Sequence, residues 1–464
     1  MIRLICILLL LAMPAAAKPN IVLILVDDFS MNLMPAATGP THMPNLRQMQ
    51  QQGMTFNKFF TVNSLCCPSR ASTFTGMLPH NTGVEANNPP NGGLVAWMGH
   101  GNDPKSFALP LQAQGYQTAF MGKYLNGYDP MTTPIPPGWN EWASTGHEGY
   151  DGYTYTLNHN GVISYPTDHF TDQISALGRV FINQVGGPFF MELAPFSVHS
   201  PFTPPARYAA DFPDYVLPQT PAFGARPDAA APAWLQAIPP LATKDLNKFQ
   251  RNYLDRVRGA KAIDEMIGRI RNRLEVNGLT ANTYLIFTSD NGFHMGEMSM
   301  LNGKMTPFDF DSRVPFVIVG PGIAPGSVSD ALTMNVDLAP TFMELAGAAP
   351  SLTVDGRSMV QLFTGGSSTR TMAVIEHSTA QFDATDPDTQ DPKAGEPPKY
   401  TALRGADWLY VEYVTGEVGY YTDPWQLQNT AASLTAARMA ELHAAAVANA
   451  TCAGSVQCGA SQDR

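Results

Sequence analysis

Ile21-Val22-Leu23-Ile24-Leu25-Val26 is an unbroken apolar run, rich in β-branched residues, that stops at Asp27-Asp28. A run without polar alternation predicts a strand buried on both faces, as in a parallel sheet. Shorter apolar runs at 117–121, 189–193, 284–288 and 316–319 predict further strands. Helical patterns fall between them, at 44–53, 108–114, 172–184 and 246–277. The first carries Pro near its start and Gly at its end, as helix boundaries do. Residues 69–75 read as the opening of another helix. Strands alternating with helices predict an α/β fold, a mostly parallel sheet with helices on both faces.

Two stretches break the pattern. Residues 201–241 are rich in Pro and Ala and lack periodicity, which predicts a long ordered surface loop, a lid in the simplest reading. Residues 379–399 are polar and Pro-rich. Beyond them, 402–414 and 419–421 predict short strands, and the Ala-rich 434–448 a closing helix. The expected division is a leader at 1–17, an α/β catalytic domain at 18–370, and a small α+β subdomain with an antiparallel sheet at 371–464. No internal repeat is present.

Composition narrows the class. The chain of 464 residues is 44% hydrophobic and 14% charged, with 39 Gly and 39 Pro, so it can bury a large core and must hold many ordered loops. A net charge of −11 argues against nucleic-acid or anionic-membrane partners. Arg3, the apolar stretch 4–13 and Ala15-Ala16-Ala17 before Lys18 have the form of a secretory signal. The apolar stretch is too short for a comfortable membrane span, so a secreted or periplasmic protein without a stable membrane anchor is expected. Cys452 and Cys458 fit a small terminal disulfide in an oxidising compartment, with free thiols as the alternative. Asn449-Ala450-Thr451 fits a glycosylation acceptor.

The chemistry lies in short motifs. Paired acids after a central strand sit where open α/β sheets place ligands. Asp27, Asp28, Asp290 and Asn291 offer only oxygen donors, three of them carboxylates, a set that favours Ca²⁺ or Mg²⁺ over Zn²⁺. Cys66-Cys67-Pro68-Ser69-Arg70, continuing through Ala71-Ser72-Thr73-Phe74-Thr75-Gly76, resembles the signature of type I sulfatases. Taken alone, Cys66 and Cys67 could also be buried thiols or a vicinal disulfide. The resemblance extends over nearly the whole chain after the leader. It runs from Asn20 to Asp28 and continues through Gly122-Lys123-Tyr124-Leu125-Asn126, His199-Ser200-Pro201, Ser289-Asp290-Asn291-Gly292 and Gly303-Lys304-Met305-Thr306-Pro307. Val336-Asp337-Leu338-Ala339-Pro340-Thr341 and Asp423-Pro424-Trp425-Gln426-Leu427 resemble two structural signatures of the family.

The resemblance implies an alkaline-phosphatase-like fold and hydrolysis of sulfate monoesters. It implies that Cys66 is oxidised to formylglycine by a formylglycine-generating enzyme. It further implies one Ca²⁺ at Asp27, Asp28, Asp290 and Asn291, with residue 66 completing the shell. Lys123 and Lys304 would grip the sulfate, Arg70 would orient the formylglycine, and His199 would protonate the departing alcohol. The Gly-Lys-Tyr-Leu-Asn form resembles the branch acting on 6-O-sulfated N-acetylglucosamine and related glycans. Many arylsulfatase-like members carry His where this chain has Leu125, which leaves the base open: Asn126 could hydrogen-bond but not act as a base, Tyr124 could act only if strongly perturbed, and Asp290 is another candidate. His294 is a candidate pocket residue. Two other readings stand beside this one: a phosphonate or phosphate ester hydrolase on the same scaffold, and a secreted glycan-binding protein with a decayed site.

Overall fold

The computed structural model describes residues 18–349, 353–379 and 386–463. The expected signal segment lies outside them. No described helix is long and apolar enough to cross a membrane.

The main sheet uses β1 (Asn20–Val26), β2 (Met54–Phe56), β4 (Gln117–Lys123), β5 (Glu141–Thr145), β6 (Leu157–His159), β7 (Val162–Ser164), β8 (Phe189–Ala194), β9 (Thr283–Ser289), β10 (Phe316–Val319) and β11 (Ser327–Ser329). A two-residue β3 (Phe59–Phe60) pairs with β12 (Thr333–Met334) beside it. The strand order is β11-β2-β10-β9-β1-β8-β4-β5-β6-β7. Its centre, β9-β1-β8-β4-β5, is parallel. Antiparallel pairs enter where β10 meets β9 and β2, and along β5-β6-β7. The sheet is therefore mixed with a parallel heart, as expected.

β1 shows why. All seven residues are buried, and successive side chains of a strand point to opposite faces. Ile21, Leu23 and Leu25 enter one core with the helices Cys66–Thr75, Ala108–Ala113 and Leu338–Ala346. Val22, Ile24 and Val26 enter the other with Pro44–Gln52, Phe170–Gln184 and Thr243–Val276. Each such side chain contributes about 1.5–3 kcal/mol on burial, so two helical layers lock this strand and the position of its C-terminal end.

The second sheet is antiparallel: β13 (Ala373–His377), β14 (Tyr400–Arg404), β15 (Leu409–Tyr413) and β16 (Val418–Tyr421). The helices Ala436–Asn449 and Ser455–Gln462 accompany it. Cys452 and Cys458 are joined, with Cα atoms 5.0 Å apart. Cys66 and Cys67 are both free thiols, which removes the vicinal disulfide.

Three expectations need correction. Asn449 is fully buried and bonded through its side chain to Ala445, Ser461 and Met372, so it does not present a glycan acceptor. Residues 201–241 contain the short helices Ala206–Tyr208 and Ala233–Gln236 and bury Tyr208, Leu217, Leu235 and Ile238. Much of this stretch packs onto the body, while Phe202 from its start borders the cavity beside His199 together with Pro387 and Asp388. The signature helix begins at Cys66, three residues earlier than predicted. The Cys67 N–H is satisfied by Asn87 Oδ1 at 2.9 Å. Pro68 falls in the first turn, where a missing N–H costs nothing.

Candidate active site

The candidate residues converge where the parallel strands end. In a regular strand Asp27 and Asp28 would point to opposite faces. Asp28 instead has φ +55°, in the left-handed region that Asp tolerates better than most residues. That breaks the alternation and lets both carboxylates reach one centre. One ligand atom from each of Asp27, Asp28, Cys66 and His199 lies within 4.8 Å of the others.

Each neighbour is fixed by its element. Lys123 ends β4 after Gly122, whose φ is +139° and whose Cα faces the Ala194 backbone so closely that no Cβ fits. Lys123 Nζ donates to Asp27 Oδ2 at 2.8 Å and lies 4.9 Å from the Tyr150 ring centre. Lys304 Nζ donates to Asp28 Oδ1 at 2.8 Å and lies 2.9 Å from Cys66 Sγ. Arg70, one helical turn beyond Cys66, donates from Nε to Asp290 Oδ2 and from one terminal nitrogen to the Lys123 carbonyl, both at 2.8 Å. Its other terminal nitrogen is buried without a hydrogen-bond partner, 4.0 Å from Asp27.

Burial sets the electrostatics. The Cys66 thiol is pushed well above its ordinary range, first by burial and then by Asp27 and Asp388. Burial works against the charge on Lys304 and Lys123, but the facing carboxylates outweigh it and hold both firmly cationic. The same competition raises His199: burial lowers it, and Asp28, Asp27 and Asp388 together raise it more. His199 therefore carries a proton readily.

The oxygen donors fit a hard cation. Asp28 Oδ2 and Asn291 Oδ1 are buried with no hydrogen-bond partner, a costly arrangement unless something else satisfies them. Asp290 is more committed. Its Oδ1 accepts the Asp28 and Asn291 N–H groups, at 3.1 and 2.8 Å, while Oδ2 holds Arg70. Asn291 Nδ2 donates to Asp28 Oδ1 at 2.6 Å.

The other candidates separate. Tyr124 is buried among Phe74, Trp97, Phe120 and Trp142, and burial drives its hydroxyl well above the ordinary range, which removes it as a base. Leu125 is buried in the same core. His294 is fully buried, its Nδ1 3.0 Å from both Asp311 oxygens and its Nε2 2.8 Å from the Ala394 carbonyl. It braces Asp311 and the Ala394 backbone.

Three residues escaped sequence reasoning. Tyr150 packs on His199 with ring centres 4.5 Å apart. Asn87 caps the signature helix. Asp388 enters the centre from the Pro-rich segment. Its Oδ1 is 2.6 Å from both His199 Nε2 and Lys304 Nζ and 4.0 Å from Cys66 Sγ. Its Oδ2 accepts from Asn87 at 2.5 Å and Asn126 at 3.3 Å. Burial would raise this carboxyl, but Lys304 and His199 hold it well below the usual carboxylate range.

The sulfatase family model matches residues 19–348. The N-acetylglucosamine-6-sulfatase of Capra hircus is 32% identical over 396 residues, 81% of this chain and 69% of that protein. A solved structure in complex with D-glucosamine-2-N,6-O-disulfate superimposes with TM-score 0.77 at 22% identity, over 92% of this chain and 96% of that one. The phosphonate monoester hydrolase of Silicibacter pomeroyi superimposes with TM-score 0.66 at 22% identity, over 92% and 93%.

Proposed function

Belonging to the sulfatase family, the chain is an enzyme that hydrolyses sulfate esters, and we propose that it removes 6-O-sulfate from hexosamine residues of sulfated glycans. The similarity to N-acetylglucosamine-6-sulfatase and the Gly122-Lys123-Tyr124-Leu125-Asn126 motif support that substrate. The observation that carries the reading is the convergence of Lys304 Nζ, the Asp27-Asp28 pair and His199 on the residue 66 side chain in a buried centre.

Asp27, Asp28, Asp290 and Asn291 would hold one Ca²⁺, which supplies positive charge for an ester anion when bound. Cys66 oxidised to formylglycine would supply a hydrated aldehyde as nucleophile. The chain's own groups do the rest. Lys304 and Lys123, held cationic by the carboxylates, stabilise the charge that shifts to sulfate oxygens. Arg70 ties the signature helix to Asp290 and to the end of β4, so residue 66 is held in one orientation. His199 Nε2 gives its proton to the departing sugar oxygen, and the Ser200 carbonyl, 2.6 Å from Nδ1, fixes the ring. Export and a boundary near residue 370 complete the proposal; the first rests on the leader motif, the second on the start of the antiparallel sheet at Ala373.

Ion chromatography of released anion tests the reading. Glucosamine 6-sulfate and N-acetylglucosamine 6-sulfate are expected to release sulfate in a calcium-dependent reaction. An aryl phosphate diester or phosphonate monoester cleaved faster than either would replace it with the hydrolase that the Silicibacter pomeroyi likeness suggests.

A further inference from the structure

The centre described above already contains an anion, and it belongs to the chain. Asp388 Oδ1 is bonded to both groups that would face a departing oxygen, His199 Nε2 and Lys304 Nζ, each at 2.6 Å. It also lies 4.0 Å from the residue 66 side chain. These are the surroundings an ester oxygen needs in order to be attacked on one side and protonated on the other. Asp388 is 5% exposed as a residue, and its side chain is sealed from solvent.

The segment around it is built to hold that position. Asp388 Oδ2 takes hydrogen bonds from Asn87 and Asn126. Asp386 takes one from Asn88. Gln390 brackets the Lys304 backbone, accepting its N–H at 3.1 Å and donating to its carbonyl at 3.4 Å. The segment is also a partition. A cavity of about 230 Å³ on one side is lined by Lys123, Asn126, Tyr150 and Pro387. A cavity of about 180 Å³ on the other is lined by His199, Lys304, Pro387 and Asp388.

Charge makes the arrangement reversible. With Asp388 in place, the carboxylates Asp27, Asp28, Asp290 and Asp388 face the fixed cations Arg70, Lys123 and Lys304. A sulfate monoester carries one negative charge, as Asp388 does. Exchange of one for the other leaves the charge of the centre unchanged, so neither anion has to be buried unpaired.

We propose that Asp388 is an internal occupant of the sulfate cradle, a selectivity gate that a sulfate ester must displace, and that its withdrawal joins the two flanking cavities into one cleft. The inference rests on the sulfatase reading for the identity of the displaced anion. A bare inorganic anion must displace Asp388 with cradle contacts alone. A sugar ester gains contacts in the cavities as well. The gate therefore disfavours free sulfate, including product, relative to a glycan ester.

Isothermal titration of inorganic sulfate into calcium-supplemented wild type, Asp388→Asn and Asp388→Ala tests this without turnover. Sulfate is expected to bind both variants at least tenfold more tightly than wild type, and product inhibition by sulfate is expected to strengthen by the same factor. Far-UV circular dichroism and melting of both variants check that they fold, and the near-isosteric Asn variant keeps the test usable if Ala does not. Sulfate affinity that is unchanged or weaker in a folded variant overturns the proposal. A drop in kcat at unchanged sulfate affinity also overturns it, making Asp388 a positioning residue for His199. Tighter sulfate binding in a protein that cleaves no sulfate ester leaves the gate standing and removes the enzymatic reading instead.

Discussion

Two regions of very different kind supply this centre. The ends of β1, β4 and β9, with the signature helix, provide Asp27, Asp28, Lys123, Asp290, Asn291 and Cys66. All are anchored in elements buried on both faces. The C-terminal part provides Asp388, which lies outside any helix or strand, ahead of the short helix Pro392–Ala394. The first region cannot move without breaking two hydrophobic cores. The second is held by charge-assisted hydrogen bonds from Asn87, Asn126, His199 and Lys304, each contributing about 1.5–3 kcal/mol, contacts that an arriving anion can take over. The fixed groups sit at strand ends or on the signature helix, and the group proposed to leave lies outside both.

The sharpest way to break this comparison is to remove chemistry from the rigid region. Cys66→Ala is expected to abolish sulfate release altogether. His199→Ala is expected to lower kcat about 10²–10⁴-fold, the usual contribution of a positioned proton donor. Both are measured as initial rates on a 6-sulfated hexosamine. Full activity in Cys66→Ala would move the chemistry elsewhere.

A second test asks how dry the rigid region is. Glu192 is fully buried in β8 with neither carboxyl oxygen hydrogen-bonded, and burial, opposed by Arg70, pushes it up to about 8. A carboxyl whose folded pKa lies above its unfolded value adds stability at low pH. That contribution is lost as pH rises from about 4.5 through about 8. Glu192→Gln is therefore expected to flatten the stability profile over that window and to be more stable than wild type above it, by up to about 5 kcal/mol. Denaturant midpoints at several pH values measure this. An unchanged slope would mean that water reaches Glu192.

The smallest effect concerns the hold between the two regions. His80, in the helix Pro79–Thr82, bonds Glu376 of β13 through Nδ1 at 2.6 Å and the Cys452 carbonyl through Nε2 at 2.9 Å. Burial works to lower this histidine, but the Glu376 hydrogen bond and charge outweigh it and push it up to about 9. Its contribution is full below about pH 6.5 and is lost as pH rises through about 9. A charge-assisted hydrogen bond of this kind contributes ~1.5–3 kcal/mol. His80→Gln should remove that alkaline loss, read as melting temperature against pH.

The same contrast explains what could be read from the chain. Asp27 and Asp28 follow an apolar run whose length alone marks a central strand, and Asp290 follows another, so position and chemistry are announced together. Lys123 and Lys304 each follow a Gly inside a motif. Asp388 has no such neighbour. It lies in a polar, Pro-rich stretch where Asp386, Asp388 and Asp391 look alike, and only tertiary placement singles one out. Tyr150 and Asn87 are equally silent, because each acts through a contact distant in sequence. Short strands such as β2, β6 and β7 lack enough residues to show a period, and β6–β7 is partly exposed. The helix Ser455–Gln462 hides behind its glycine and serines.

The hydrolytic chemistry proposed for the centre depends on what residue 66 becomes in the mature protein. Mass spectrometry of the tryptic peptide 59–70, on protein purified from its native host, reads that directly. The account predicts an aldehyde in place of the Cys66 thiol, trapped by a hydrazine reagent. An intact thiol at residue 66 in fully mature, sulfate-releasing protein would contradict it.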